Sequence, residues 1–170
     1  NLDQTESAGY VLAQALEYWP DDTEILYSLG VIHDRRAEYD EALEVMERIL
    51  LIDAVHADAL NYVGYTLADR GTDLDRAIKL IRQALELKPD NGYIIDSLAW
   101  AYFRMDQLDD AWEVIQTAVD FVDSDPIIWE HYGDIAQTLG LEDKARLGYT
   151  KALEYETGHP DRVREKLENL

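Results

Sequence analysis

A small residue recurs at nearly fixed intervals along this chain, and that recurrence limits the available folds more than any other feature. Aligning "EILYSLGVIHDRRAEYDEALEVM", "DALNYVGYTLADRGTDLDRAIKLI", "GYIIDSLAWAYFRMDQLDDAWEVI" and "PIIWEHYGDIAQTLGLEDKARLGY" puts Gly30, Gly64, Ala99 and Gly133 in one column, 34, 35 and 34 residues apart. Ala42, Ala77, Ala111 and Ala145 form a second column, spaced 35, 34 and 34. Ile49, Ala84, Ala118 and Ala152 form a third. The one extra residue falls in "RGTDLD", where a loop absorbs it.

Each unit reads as two helices. Leu60, Val63, Gly64 and Leu67 share one helical face, and Ala77, Leu80, Ile81, Ala84 and Leu85 share the face of the next. Gly71 with Asp73 breaks the chain between them, and Pro89 with Asn91-Gly92 ends the second. A glycine inside a helix costs about 1 kcal/mol relative to alanine. Gly64 repays that where two antiparallel helices cross closely, with Ala77 as the small residue opposite.

The charge excludes one class of partner. Thirty-six acidic residues against 15 basic give a net charge of −21, and such a surface repels the phosphate backbone of nucleic acids. Without cysteine the chain has no disulfide, thiolate metal site or thiol nucleophile. No apolar run is long enough to cross a membrane. Cytoplasm and periplasm both remain open as compartments.

The repeated columns resemble the tetratricopeptide repeat, whose period is 34 residues. The likeness rests on Leu29-Gly30, Val63-Gly64, Leu98-Ala99-Trp100-Ala101-Tyr102 and Trp129 with Tyr132-Gly133, and on Pro20 and Pro89 as closing prolines. His33 and Leu67 replace the usual tyrosine, Ala99 the glycine, and Ala54, Asp123 and Thr157 the proline. The stretch around the longer turn is also similar to that of large bacterial repeat proteins. The resemblance implies an all-α, right-handed superhelical solenoid of antiparallel hairpins. Residues 1–22 would be the second helix of a truncated repeat, 23–56, 57–91, 92–125 and 126–159 four repeats, and 160–170 a capping helix, with further repeats expected upstream.

Catalytic and metal-binding patterns are poor. His33, His56, His131 and His159 lie in different units without the spacing of a zinc site, and His33 is expected in the core. Ser28 and Ser97 lack a nucleophile elbow. "DSDPIIWE" lacks the central glycine of a calcium loop and reads as a helix entry, with Asp125 as cap before Pro126. Asp109 and Asp110 read as first-turn carboxylates of a helix. No enzyme activity, metal or cofactor is expected.

In tetratricopeptide proteins the first helices line a concave groove that holds a partner's peptide. The corresponding columns here contain Tyr27, Asn61, Asp96 and Glu130; Val31, Tyr65, Trp100 and Asp134; Phe103; and Arg35, Asp69 and Arg104. Two readings of the aromatics compete. They fill space between neighbouring repeats, or they anchor a peptide while Asp69, Asp96, Glu130 and Asp134 attract a basic partner. The leading expectation is a non-catalytic scaffold that binds a protein or peptide, basic with apolar anchors. Self-association, or service as an accessory segment of an enzyme whose catalytic domain lies elsewhere, are the alternatives.

Overall fold

A computed structural model describes residues 2–170, with side chains from Ser7 onward; Asn1, part of the expected 1–22 segment, lies outside the described residues. Among them every regular element is a helix: α1 (Leu2–Tyr18), α2 (Thr23–Arg35), α3 (Tyr39–Ile52), α4 (Ala57–Arg70), α5 (Leu74–Leu87), α6 (Gly92–Arg104), α7 (Leu108–Phe121), α8 (Pro126–Thr138), α9 (Glu142–Glu154) and α10 (Pro160–Glu168). Helices α2–α3, α4–α5, α6–α7 and α8–α9 pair as hairpins. Helix α6 also packs directly on α4 and on α8, while α1 lies against α2 and α10 against α9.

The ends of the helices follow from local chemistry. Asp22, Asn91 and Asp125 each accept hydrogen bonds from two backbone N–H groups of the turn that follows, so α2, α6 and α8 start there. Within each hairpin one residue takes the left-handed conformation: Ala37, Gly71, Asp106 and Gly140, with φ of 58°, 66°, 60° and 73°. The amide of the next residue then bonds back to the helix just ended, as Thr72 N–H does to Leu67 C=O. The extra residue of the second hairpin sits in this turn, where Asp73 (φ 45°) adds a second left-handed residue.

The small-residue columns mark where the paired helices touch. A Cβ on Gly64 would meet Ile81 Cγ1 at 2.6 Å and the Ala77 carbonyl oxygen at 2.9 Å; one on Gly30 would meet Met46 Cε at 2.6 Å; one on Gly133, the Tyr149 ring at 2.5 Å. Met46, Ile81, Ile115 and Tyr149 each follow the second-column alanine by four residues, and all four are fully buried. The large side chain of the second helix thus fills the space that the missing side chain of the first leaves open. The closest backbone approach is in the last hairpin, where a Cβ on Gly148 would lie 2.6 Å from Gly133 N and 2.8 Å from Trp129 O.

Two details differ from the sequence expectations. His33 is partly exposed, not a core residue: its Nδ1 lies 2.7 Å from Glu38 Oε2 beyond the turn. The match of residues 1–22 to a second helix rests on Ala8, Leu12, Ala15 and Pro20, but Ala8 is exposed and Gly9 is the buried small residue on α1, facing Ile32.

Candidate functional site

Stacking α4, α6 and α8 side by side lines up one face of each, and α10 with the connection before it closes one end. The result is a cleft of ≈ 830 Å³. Tyr62, Tyr65, Thr66 and Asp69 reach it from α4, Trp100 from α6, and Ile127, Glu130, His131 and Asp134 from α8. Asp34, Tyr39 and Arg70 border it on one side, Thr157, Gly158, His159, Arg162 and Lys166 on the other.

Its floor is a chain of contacts across three repeats. His131 and Asp96, each with a side chain only 8% exposed, pair at 2.9 Å through His131 Nδ1. The His131 ring stacks on Trp100 at 4.1 Å between centroids and 15° between planes. The Trp100 Nε1–H donates to Asp69 Oδ1 at 3.2 Å. Arg104 lies 5.9 Å from the centre of the Trp100 ring and donates to the Asp69 carbonyl oxygen. Burial alone would lower the basicity of His131, but the charge of Asp96 and its hydrogen bond, helped by Asp134 and Glu130, outweigh it and raise the pKa above 6.5.

Helix α10 supplies the second set of ion pairs. Val163 is fully buried against the last hairpin, in a cluster with Ala136, Ala145, Tyr149 and Ala152. That anchoring brings Arg162 and Lys166 over α8. Arg162 donates to Glu130 at 2.8 Å, and Lys166 bridges Glu130 at 2.8 Å and Asp134 at 2.7 Å. Burial would raise the Glu130 pKa, yet the hydrogen bonds and charges of Lys166 and Arg162 hold it below the usual 4.5.

Of the twelve residues expected in the groove, Tyr65, Asp69, Trp100, Glu130 and Asp134 line it. Tyr27 and Val31 pack against the core of the first hairpin, and Phe103 against Trp100 at 5.1 Å. Arg35 is exposed outside the cleft, and Arg104 lies beneath Asp69 and Trp100. Asn61 is partly buried, its Oδ1 buried without a hydrogen-bond partner among the described residues. Three of the carboxylates expected to attract a basic partner have partners within the chain: Asp96 pairs with His131, and Glu130 and Asp134 pair with Arg162 and Lys166. Sequence reasoning also missed His131 and the cations of α10 as parts of the site. No spacing within one repeat signals either, because both act across repeats.

The tetratricopeptide repeat profile matches residues 2–61 and 70–130, and a second profile of the same description matches 39–92. The chain belongs to the tetratricopeptide repeat family. A TPR repeat-containing protein of Pseudomonas aeruginosa is 33% identical over 119 residues, which are 70% of this chain and 20% of that protein. A tetratricopeptide repeat-containing protein of Caenorhabditis elegans is 24% identical over 127 residues, 75% of this chain and 16% of that one. The chain therefore spans a fifth or less of these curated relatives. Among solved structures, the thermophilic TPR protein TTC0263 of Thermus thermophilus superposes with a TM-score of 0.77 at 20% identity, covering 98% of this chain and 92% of that one. MamA of Desulfovibrio magneticus gives 0.71 at 22%, covering 89% and 85%. Both likenesses establish the solenoid fold.

Proposed function

We propose that the concave cleft holds a polypeptide segment of a partner protein. TPR proteins are protein-interaction scaffolds and generally not catalysts, so the coarse role follows from the family. The observation that supports this site is the composition of its lining. Tyr62, Tyr65 and Trp100 stand beside Ile127, which is 53% exposed. Among the described residues, the Tyr65 and Thr66 hydroxyls have no hydrogen-bond partner. Aromatic surface next to unpaired donors suits a peptide, which offers both apolar side chains and main-chain polar groups.

The charge balance of the cleft refines the partner. Glu130 and Asp134 are paired with Arg162 and Lys166, while Asp34 accepts from the Tyr62 hydroxyl and Asp69 from Trp100 Nε1–H. Recognition here then rests on apolar and hydrogen-bonding groups more than on net positive charge.

Selection of binders from a random peptide display library tests the reading, with recovered peptides measured by fluorescence anisotropy. Tyr65→Ala is expected to weaken binding about tenfold or more, and Thr66→Arg to abolish it. Thr150→Arg, on the outer surface of α9, is the control without effect. Peptides that bind the Tyr65→Ala and Thr66→Arg proteins as tightly as the unaltered chain would refute the assignment.

A further inference from the structure

The solenoid has two edges, and they differ in chemistry. One carries the turns inside the hairpins. The other carries the connections between hairpins, at residues 19–22, 53–56, 88–91 and 122–125. Of the fourteen exposed large apolar side chains among the described residues, nine lie in or within two residues of those four connections, and only Tyr39 and Leu141 lie at the hairpin turns. The distribution is not scattered, as isolated surface apolar residues are.

Four of the nine form a row. Tyr18, Ile52, Leu87 and Phe121 are each the last residue of the second helix in successive units, 34, 35 and 34 residues apart, and are 78%, 41%, 47% and 50% exposed. Leu51, 88% exposed, and Trp19, 60% exposed, extend it. An open pocket of ≈ 450 Å³ lies on the same edge, between Tyr93 and Val122.

The edge is also strongly acidic. The four connections contain Asp21, Asp22, Asp53, Asp90, Asp123 and Asp125 against one cation, Lys88. That lysine is already tied to Asp58 at 2.7 Å. Among the described residues, the carboxylates of Asp90, Asp120 and Asp123 take part in no hydrogen bond or ion pair. Glu130 and Asp134 in the cleft are ion-paired, and Asp21 on the edge is paired with Arg48 at 3.5 Å, whereas these three are not.

We propose that this edge docks a basic amphipathic helix of a partner protein, seating its apolar residues on the Tyr18–Ile52–Leu87–Phe121 row and its lysines and arginines on the aspartates of the connections. The fit is one of chemistry. An amphipathic helix presents its apolar residues on one face, to lie along the row, and carries its cations beside them, towards the aspartates. A second copy of this chain would bring the same aspartates against the row, and an anionic bilayer is repelled by them.

The probe is a fluorescein-labelled synthetic peptide of three heptads, with leucine on one face and lysine and arginine on the other. A control peptide has the same composition scrambled so that the leucines share no face. The patterned peptide is expected to bind at least tenfold more tightly than the scrambled one. The triple variant Leu51→Ser/Leu87→Ser/Phe121→Ser should lose at least tenfold, while Leu141→Ser, at a hairpin turn, and Tyr65→Ala should not change binding. Should the triple variant fail to fold, Asp90→Asn/Asp120→Asn/Asp123→Asn replaces it, with weaker binding and a flatter salt dependence expected.

Equal binding of the two peptides, or no loss in either edge variant, overturns the proposal. So does loss confined to Tyr65→Ala, which would put the probe in the cleft and leave the cleft reading standing. Sedimentation showing a dimer that the edge variant dissolves, or binding to phosphatidylcholine vesicles that it abolishes, assigns the row to another occupant and also overturns it. Because Tyr65→Ala reports on the cleft alone, failure of one reading does not decide the other.

Discussion

Replacing Gly148 by alanine adds one methyl group where the backbones of α8 and α9 meet. Its Cβ would stand 2.6 Å from Gly133 N, 2.8 Å from Gly133 Cα and 2.8 Å from Trp129 O. Ordinary contacts of this kind are about 3.5 Å, so α8 and α9 must separate by most of an ångström. All three obstructing atoms are backbone, and none can rotate away. Overpacking typically costs about 1–3 kcal/mol, and the rigid backbone puts this site in the upper part of that range, at about 2–3 kcal/mol; the better helix propensity of alanine returns about 1 kcal/mol, leaving a net loss of about 1–2 kcal/mol. Gly30→Ala is the matched comparison, because there the added methyl meets Met46 Cε at 2.6 Å, the free end of a flexible thioether. That residue can swing aside, so propensity and strain roughly cancel. Urea unfolding followed by circular dichroism should show the Gly148→Ala midpoint lowered by about 0.5–1 M, with Gly30→Ala close to the unaltered protein. Equal midpoints for the two variants would refute the backbone-contact argument.

Gly64→Leu should be more damaging than either alanine variant in the same assay, since it drives a branched side chain into Ile81 and the Ala77 carbonyl. The raised pKa of His131 means that its pairing with Asp96 contributes stability in full below about pH 6.5 and loses it as pH rises through the folded value. Urea midpoints of the protein should therefore fall on that alkaline side, and His131→Asn should flatten this limb. Glu130 works in the opposite direction: its lowered pKa gives stability above about pH 4.5 that disappears as pH falls through the folded value. Lys166→Met should reduce that acid dependence and speed amide exchange in α10, measured by hydrogen–deuterium exchange. Metal analysis of the purified protein should find no stoichiometric zinc or calcium, in line with the absence of a ligand cluster among the described residues.

The fold was legible because each repeat needs the same contact. Glycine or alanine at Gly30, Gly64, Ala99 and Gly133 is required by the large residue opposite, so the register survives variation elsewhere. Asp125 as a cap and Asp109 and Asp110 in the first turn of α7 were also readable, since capping and the helix dipole act within a few residues. The cleft was legible only in part. Column position identified Tyr65, Asp69 and Trp100, but it cannot reveal whether a carboxylate on that face is free. Asp96 meets His131 35 residues away, and Glu130 meets Lys166 36 residues away, on a helix outside the repeat pattern. Gly148 escaped notice because it departs from its own column, and only the backbone geometry shows what it permits.

The central claim, that the concave cleft is where a partner protein is held, is tested most directly by a photo-crosslinking residue placed at Thr66 in the full-length protein in its own cells. The account predicts a discrete crosslinked partner from Thr66, lost when Tyr65→Ala is added, and none from the same residue placed at Thr150. Crosslinks from Thr150 with none from Thr66, or Thr66 crosslinks indifferent to Tyr65→Ala, would contradict it.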